Sequence, residues 1–317
     1  MEVIHDPAQF PYLGNAVVTS GTFDGVHVGH QQILARLCEV ARASGGPAVV
    51  ITYWPHPRLV LAPPPSHPEP LDLYLLNTLE ERAARLAEFG VDYLLIIPFT
   101  REFAAWSSEE FIQRILLDTV GTSKLVIGYD HRFGRNREGG FDYLREHSGR
   151  YGMSVEEIPR EDVDAVGVSS TRIRRALEAG DVDTANRYLG YQYPFTGTVV
   201  RGRQLGRTIG WPTANLVCAE DLKLVPARGV YAVRATTAAG ETWPAMLNIG
   251  VRPTVAGNLA QTVEANLLGF EGDLYDQPLT VEFVARLRDE QKFDGLDALK
   301  AQLALDAEEA RQHLAGD

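Results

Sequence analysis

The sequence predicts a two-domain α/β protein, in which a parallel sheet covered by helices precedes a small antiparallel sheet or barrel. The chain has 317 residues, which is enough for two ordinary domains. Apolar runs alternate with helical stretches in the first half, whereas β-branched runs follow one another directly in the second half. The period changes between Arg187 and Tyr193, so we place the two domains at residues 1–187 and 188–317.

The parallel sheet is predicted from short runs that are apolar almost without interruption, as strands buried on both faces require. Helical spacing of apolar residues fills the intervals between them, and Gly45–Gly46 ends the first helix. The predicted strands begin at Ala16, Ala48, Tyr93, Lys124 and Met153, and the predicted helices cover residues 31–43, 79–89 and 108–117.

Residues 55–70 contain seven prolines. Because proline interrupts helices and central strands, this stretch predicts a loop over the carboxyl edge of the sheet. Composition alone leaves open whether the loop is a spacer or covers a substrate.

The second domain is predicted from β-branched runs separated by turn residues such as Ala239–Gly240 and Gly272–Asp273. Consecutive strands of this kind favour a small antiparallel sheet or barrel. Leu296, Leu299 and Leu303 have helical spacing, so an amphipathic helix is expected to close the domain. The predicted strands begin at Phe195, Gly229, Thr242, Gln261 and Leu279.

Composition excludes several classes of protein. The net charge of -12 argues against sequence-independent nucleic-acid binding, which requires a basic surface. No apolar run approaches the length of a membrane span, and the N-terminus lacks the pattern of a signal peptide. Cys38 and Cys218 lie far apart and are expected to be small buried residues without a disulfide. We therefore expect a cytoplasmic protein without nucleic-acid or membrane partners.

The segment Gly21–His30, GTFDGVHVGH, lies where the first predicted strand turns into the first helix. Free amide groups and the helix dipole make such a corner favourable for anions. Glycine allows the backbone to approach a phosphate, and imidazoles donate hydrogen bonds to phosphate oxygens. A single histidine would more often be structural, but His27 and His30 together favour a phosphate site.

The second domain contains a glycine-rich basic loop that ends in Pro212-Thr213-Ala214-Asn215. The loop lacks the Lys-Ser/Thr ending of a P-loop. The oxygen atoms of Thr213 and Asn215 face one side of an extended chain and suit Mg²⁺. Spacing alone favours the alternative, a turn closed by an asparagine side chain.

Two motifs together resemble the signatures of the nucleotidyltransferase superfamily. GTFDGVHVGH resembles its HxGH signature, and residues 168–174, VSSTRIR, resemble its SSTxxR signature. This resemblance implies a Rossmann-like fold for the first domain and an ATP site with His27 and His30 as catalytic groups. The implied ATP-binding residues are Gly21, Phe23, Gly25, His27, Gly29, His30, Ser169, Ser170, Thr171 and Arg174.

Two further segments are similar to those of the bacterial bifunctional riboflavin kinase/FMN adenylyltransferase family, also called FAD synthetases. TYWPHP at residues 52–57 resembles the family's TFxPHP, and GYDHRFG at residues 128–134 resembles GxDFxFG. Tyr53 and His131 stand where the family usually has phenylalanine. The resemblance implies a flavin site formed by Pro55, His56, Pro57, Asp130 and Phe133.

The glycine-rich loop and PTAN resemble the flavokinase signature of the same family. The resemblance implies that Thr213 and Asn215 hold Mg²⁺ and ATP, and that Glu264 is the catalytic base. Asn266 stands where the family usually has histidine. The implied ATP site also contains Gly202, Gly206 and Gly210, and the implied flavin site contains Tyr231, Arg288 and Phe293.

The resemblance, which extends from about residue 15 to 305, implies phosphorylation of riboflavin by the second domain and adenylylation of FMN by the first. The implied partners are riboflavin, FMN, ATP and Mg²⁺, and the implied chain is a monomer or weak homo-oligomer. HxGH and SSTxxR alone would also fit adenylyltransferases for pantetheine phosphate or nicotinamide mononucleotide. A flavin-binding sensor without turnover is the alternative from a different class.

Overall fold

A six-stranded sheet with every neighbouring pair parallel forms the centre of the N-terminal unit, residues 1–170. The computed structural model describes residues 1–62, 73–159, 167–202, 205–253 and 259–315. The strand order is β1-β4-β3-β2-β5-β6. The strands are β1 (Glu2–Ile4), β2 (Ala16–Ser20), β3 (Ala48–Trp54), β4 (Tyr93–Pro98), β5 (Thr122–Gly128) and β6 (Ser154–Ile158). The predicted parallel sheet is confirmed.

Helices cover both faces of this sheet, as the continuously apolar strands require. One hydrophobic cluster contains Leu34 and Leu86, and a second cluster on other strand positions contains Ile112 and Leu144. The helices of this unit are α1 (Val28–Ser44), α2 (Pro57–Leu61), α3 (Leu79–Glu88), α4 (Arg101–Ala104), α5 (Ser108–Phe111, continued by a π-helical segment Ile112–Val120) and α6 (Phe141–Tyr151).

The prediction that residues 55–70 form a loop is wrong for α2. Pro57 occupies the first turn of this helix, where a missing amide hydrogen costs nothing, and the His56 side chain accepts a hydrogen bond from Arg58 N at 3.2 Å. The proline-rich remainder from residue 63 onwards lies outside the described residues until residue 73.

The second unit, Thr171–Asp317, contains a closed antiparallel barrel in the order β10-β11-β8-β7-β12-β9. Its strands are β7 (Tyr193–Val200), β8 (Ala214–Val217), β9 (Gly229–Thr237), β10 (Thr242–Pro253), β11 (Leu259–Leu267) and β12 (Pro278–Arg288). The helices are α7 (Ser170–Glu178), α8 (Val182–Leu189), α9 (Leu205–Thr208) and α10 (Leu296–Leu314). The predicted boundary at Arg187 falls within α8, and packing divides the chain after Ser170.

A helix at residues 296–314 packs on the outer face of the barrel, as predicted, but Leu296 of the predicted leucine face is 63% exposed. Ala307 and Ala310 of α10 contact Met246 and Ala285 in one buried cluster. Beside this cluster, the fully buried carboxylate of Asp306 accepts two hydrogen bonds from Arg288, Nε to Oδ1 at 2.8 Å and Nη2 to Oδ2 at 2.6 Å. This paired geometry attaches the last helix to the last strand.

Two sequence expectations about the rest of the chain have clear outcomes. No described helix combines the length and the apolar character needed to cross a membrane. Cys38 is buried as expected, but Cys218 is half-buried, against the expectation, because it follows the short strand β8.

We expect Asp306→Asn to destabilise the barrel by about 2–4 kcal/mol, because it leaves the Arg288 guanidinium without its counter-charge in a mostly buried site. Urea-dependent amide hydrogen exchange of β12 and α10 measures the change. Asp289→Asn is the matched control, since Asp289 pairs with Arg286 while 83% exposed, and should cost no more than about 1 kcal/mol. Equal effects of the two substitutions would contradict this assignment.

Candidate functional site

The motifs of the first half meet at one edge of the parallel sheet. Strand β3 ends in the TYWPHP segment, β2 runs into GTFDGVHVGH, and β5 ends at Gly128 of GYDHRFG. These strands are neighbours in the order β3-β2-β5, so all three motifs follow the carboxyl ends of adjacent parallel strands. The direction in which the chain adds strands reverses between β2 and β5, and open α/β sheets bind ligands in the crevice outside such a point.

The turn between β2 and α1 has an unusual backbone. Phe23, Gly25 and Val26 have φ angles of 48°, 85° and 36°, and such values are costly for Phe and for the β-branched Val. Phe23 and Val26 are both buried, at 2% and 0% exposure, in the cluster shared with α1 and α3. Core packing of these two side chains therefore holds the strained backbone in place.

The two histidines of this turn stack on each other at the start of α1. Their ring centroids are 3.7 Å apart with an interplanar angle of 13°. His27 is the N-cap of α1, and its Nδ1 accepts a hydrogen bond from His30 N at 3.3 Å. Because Nδ1 accepts, the neutral ring of His27 carries its proton on Nε2 and can donate from there.

His30 is held in its neutral form. Burial, together with the charges of His27 and Arg82, lowers the pKa of His30 well below its usual value. Its Nδ1 atom is buried and has no hydrogen-bond partner among the described residues. A neutral imidazole at this position acts as a hydrogen-bond donor or acceptor at neutral pH, and not as a fixed positive charge.

The HxGH and SST segments, which are separated by about 140 residues in sequence, contact each other. The Ser170 hydroxyl donates to the Asp24 carbonyl oxygen at 2.8 Å, and both residues belong to the N-terminal unit. The Asp24 carboxylate, 1% exposed, accepts hydrogen bonds from Leu76 N at 3.0 Å and Asn77 N at 3.3 Å. Asp24 thus fixes the turn between two other segments of the unit.

The remaining residues of the predicted ATP site are distributed as follows. Gly21 follows β2 directly, Gly29 is buried in the first turn of α1, and Ser169 is half-buried before α7. Helix α7 begins at Ser170 and carries Thr171 and Arg174, of which Arg174 is 8% exposed. Their contacts with the nucleotide stay predictions.

The predicted flavin residues of the N-terminal unit divide by exposure. Pro55 and Asp130 are exposed at the ends of β3 and β5, and Pro57 is half-buried. His56 is 7% exposed and caps α2, and Phe133 is 6% exposed and packs on Phe111 at 5.3 Å. The exposed pair is available to a ligand as the structure stands, whereas His56 and Phe133 shape the backbone around it.

The two departures from the family pattern, Tyr53 and His131, are partners of one hydroxyl group. His131 Nε2 lies 3.2 Å from Ser20 Oγ, and the Ser20 side chain is also near enough to Tyr53 to influence its pKa. Burial lowers the pKa of His131 to about 4, with smaller contributions from Arg132 and Arg137, and burial raises the pKa of Tyr53 to about 12. Both side chains are therefore neutral at pH 7, and Ser20 lies beside both polar replacements.

In the barrel, three polar residues form a row across three strands. The register places Glu264 of β11 opposite Asn215 of β8 on one side and opposite Asn248 of β10 on the other. Residues directly opposite in antiparallel strands share a face of the sheet. Asn248 lies two positions from Met246, which packs against α10 on the outside of the barrel, so the row is on the outer face. Thr213 Oγ1 donates to Glu264 Oε2 at 3.4 Å, which joins PTAN to the predicted base.

Neighbouring residues hold the PTAN segment in this position. Asn266 Nδ2 donates to the Pro212 carbonyl at 2.6 Å, so the asparagine that replaces the family's histidine anchors the segment. A Cβ atom at Gly202 would collide with the Asn215 side chain, and one at Gly206 would collide with the Trp211 carbonyl. Gly210 has a φ of 87°, which only glycine adopts without cost.

The donor set formed by Thr213, Asn215 and Glu264 fits Mg²⁺. It offers a hydroxyl, an amide oxygen and a carboxylate, and Mg²⁺ prefers oxygen ligands shared with water and substrate phosphates. No group of three or more His, Cys, Asp or Glu side chains suited to a metal occurs among the described residues. A magnesium ion here would therefore depend on the nucleotide for much of its coordination.

The predicted flavin residues of the barrel have other contacts in this structure. Tyr231 is fully buried, its hydroxyl donates to the Ala227 carbonyl, and its ring packs edge-on against Phe283 at 5.2 Å. The Arg288 guanidinium pairs with Asp306 and lies 5.8 Å from the Phe293 ring centroid. The flavin contacts of Tyr231, Arg288 and Phe293 stay predictions.

Sequence reasoning did not assign a role to Arg82, Asn248 or Asn266. Asn248 and Asn266 become relevant only through the strand register, which no local pattern specifies. Arg82 had a signal in the sequence: it stands between Leu79 and Leu86 at helical spacing, on the face of α3 that should be apolar.

Comparisons with known proteins agree with this geometry. The family model of FAD synthetase matches residues 10–172, and that of riboflavin kinase matches residues 189–314. A Pseudomonas fluorescens protein named bifunctional riboflavin kinase/FMN adenylyltransferase is 42% identical over 95% of this chain and 94% of its own. The Escherichia coli K12 protein of the same name is 38% identical over 98% and 96%.

A solved structure shows the same arrangement of elements along the whole chain. The Streptococcus pneumoniae protein described as a macrolide-efflux protein superposes with a TM-score of 0.86 at 33% identity, covering 98% of each chain. The riboflavin kinase match removes the alternative of a nucleotidyltransferase for a different acceptor, because it accounts for the barrel. The chain belongs to the bifunctional riboflavin kinase/FMN adenylyltransferase family, with the FAD synthetase part in its N-terminal half and the riboflavin kinase part in its C-terminal half.

Proposed function

We propose that the crevice at residues 21–30 transfers AMP from ATP to FMN, and that the row Asn215–Glu264 of the barrel transfers the γ-phosphoryl group of ATP to riboflavin. The observation that carries the assignment is that motif residues distant in sequence meet in each unit. Ser170 binds the Asp24 carbonyl in one unit, and Thr213 binds Glu264 in the other.

In the barrel, Glu264 accepts the proton of the primary ribityl hydroxyl of riboflavin as that oxygen attacks the γ-phosphorus of ATP. ADP leaves, and FMN forms. Phosphoryl transfer depends mainly on positioning and charge stabilisation. Thr213 and Asn215 would hold Mg²⁺, which supplies charge neutralisation to the phosphates. The hydrogen bond from Thr213 keeps the Glu264 carboxylate oriented until the substrate hydroxyl replaces it.

In the N-terminal unit, a phosphate oxygen of FMN attacks the α-phosphorus of ATP, pyrophosphate leaves, and FAD forms. The attacking phosphate is already a nucleophile, so no covalent intermediate is required. Negative charge develops on the α-phosphate and on the leaving group. His27, His30 and the free amides at the start of α1 would donate to that charge. Ser169, Ser170 and Arg174 would bind the pyrophosphate, and Asp130 would face the flavin.

The neutral state of His30 is consistent with this role. A neutral imidazole donates one hydrogen bond and does not bind the ground-state triphosphate as strongly as a cation would.

The two proposed reactions together use ATP, riboflavin and FMN as substrates, with Mg²⁺ as the accompanying ion. The direct test is to incubate the protein with riboflavin, ATP and Mg²⁺ and to separate the flavins over time; FMN should appear before FAD. A flavin-binding sensor would release neither ADP nor pyrophosphate.

We expect Glu264→Gln to reduce FMN formation from riboflavin by about 100- to 10,000-fold, the usual contribution of a general base. Adenylylation of added FMN should stay unchanged, because the N-terminal unit is intact. Glu241→Gln, at an exposed position in the same barrel, is the control and should leave both rates unchanged. A wild-type rate of riboflavin phosphorylation by Glu264→Gln would disprove the assigned role.

The two functions of His27, capping and catalysis, can be separated. In His27→Asn, the amide oxygen can still cap α1, but the imidazole is lost. We expect this variant to keep the stability of the N-terminal unit and to form FAD about 100- to 1,000-fold more slowly, by analogy with removal of one oxyanion donor. His27→Ala should lose both properties. In either variant FMN accumulates, and unimpaired FAD formation by both would rule out the histidine.

The shared Ser20 hydroxyl predicts coupling between Tyr53 and His131. Tyr53→Phe and His131→Phe should each lower the free energy of unfolding of the N-terminal unit by about 1 kcal/mol through a lost polar contact with Ser20. The double variant, which restores the family's two phenylalanines, should be more stable than the sum of the singles by about 0.5–1.5 kcal/mol. Chemical unfolding of the four proteins measures the cycle, and strict additivity would refute the coupling.

The same network predicts sensitivity to acid. The pKa of His131 is about 4 in the folded protein, against about 6.5 in an unfolded chain. The unfolded state therefore binds this proton first, and stability of the N-terminal unit falls as pH decreases from about 6.5 towards 4. His131→Phe should flatten this part of the curve. An unchanged slope in the variant would show that other groups cause it.

A further inference from the structure

Arg82 is a buried cation beneath the HxGH turn. It lies on α3 between Leu79 and Leu86 and is 0% exposed. Arginine is almost never buried to this extent unless a counter-charge accompanies it.

The described residues satisfy only part of this guanidinium. Nη1 donates to Thr52 Oγ1 at 3.3 Å, but Nε and Nη2 are buried without any hydrogen-bond partner in the described part of the chain. No carboxylate there comes within ion-pair distance of Arg82. The Trp54 ring centroid is 5.9 Å from Cζ, a contact that stabilises a cation only weakly. Asp24 interacts with the charge at longer range, and burial lowers the pKa of Arg82.

The Arg82 guanidinium is linked to the turn that contains the two histidines. Thr52, the acceptor for Arg82, donates in turn to the Thr22 carbonyl at 3.2 Å. The field of Arg82 also reaches His30, where it opposes protonation of the ring. Arg82 therefore contacts the TYWPHP strand directly, contacts the GTFDGVHVGH turn through one hydroxyl, and has donors left over.

An uncompensated buried charge costs several kcal/mol in a folded chain. It is retained when the opposite charge arrives with a ligand, and strained or costly groups of this kind concentrate at functional sites. Resting on the adenylyl transfer proposed above, we propose that Arg82 is a positioning residue for that reaction: its guanidinium provides the positive charge that complements the nucleotide phosphates held by residues 21–30.

If Arg82 acts in the reaction, its removal should affect activity and not stability, whereas a structural role predicts a loss of stability. In Arg82→Met the side chain keeps an unbranched apolar stem but loses the charged guanidinium, and Thr52 can still donate to Thr22. Removal of an unpaired buried charge should leave the unfolding free energy of the N-terminal unit unchanged or higher. Adenylylation of FMN should nevertheless fall about tenfold or more in kcat/KM for ATP, because a nearby charge that stabilises developing negative charge is lost.

The experiment measures pyrophosphate release with FMN as the flavin substrate, together with chemical unfolding of the same proteins. Arg82→Lys should recover part of the rate, since it retains the charge. Arg85→Met, one turn along α3 on a more exposed position, is the matched control and should behave as wild type. Thr52→Val tests whether the hydrogen bond or the charge matters, and should lose less activity than Arg82→Met.

Riboflavin phosphorylation by the barrel is the internal control in every variant and should not change. The proposal is overturned if Arg82→Met keeps the wild-type kcat/KM, if it unfolds or loses stability in proportion to its activity, or if Thr52→Val reproduces the whole effect. Failure of the wild-type protein to release pyrophosphate from ATP and FMN would instead refute the proposed function itself, which separates the two ideas.

Discussion

The burial of Phe23 and Val26 is the constraint on which the N-terminal site depends. Both side chains lie in the core while the backbone has positive φ angles on both sides of Gly25. This conformation brings His27 to the N-cap of α1, where its ring caps the helix and stacks on His30. Strain at a ligand site persists because the surrounding packing determines it more strongly than the local preference opposes it.

Each unit uses a different geometry to assemble its polar groups. In the parallel sheet, the loops after adjacent strands converge on one edge, so residues far apart in sequence become neighbours. In the barrel, strand register alone aligns Asn215, Glu264 and Asn248 on the outer face. Loops supply the first site and strands supply the second, which makes the barrel row the more rigid of the two.

Much of the fold could be predicted from the sequence because strands covered on both faces and strands covered on one face leave different apolar patterns. Continuous apolar runs identified β2 to β6, and β-branched alternation identified five of the six barrel strands. Strand β8 is not predicted because Ala214–Val217 is short and lies close after a proline, and α2 is not predicted because proline usually interrupts helices.

In the site, HxGH and SST could be joined through family resemblance, whereas the Ser170–Asp24 bond required the tertiary structure. Arg82 broke the apolar pattern of α3, but the missing partners of its guanidinium could be seen only in three dimensions.

The ion pair between Arg288 and Asp306 has a consequence for how the chain is made. Strand β12 joins β7 to β9 and so closes the barrel, and its Arg288 pairs with the carboxylate of Asp306 in α10. Domains fold in order as the chain emerges from the ribosome. The strands of the N-terminal sheet all precede residue 170 and can pair during translation, whereas the arginine of the barrel strand stays unpaired until Asp306 has left the ribosome.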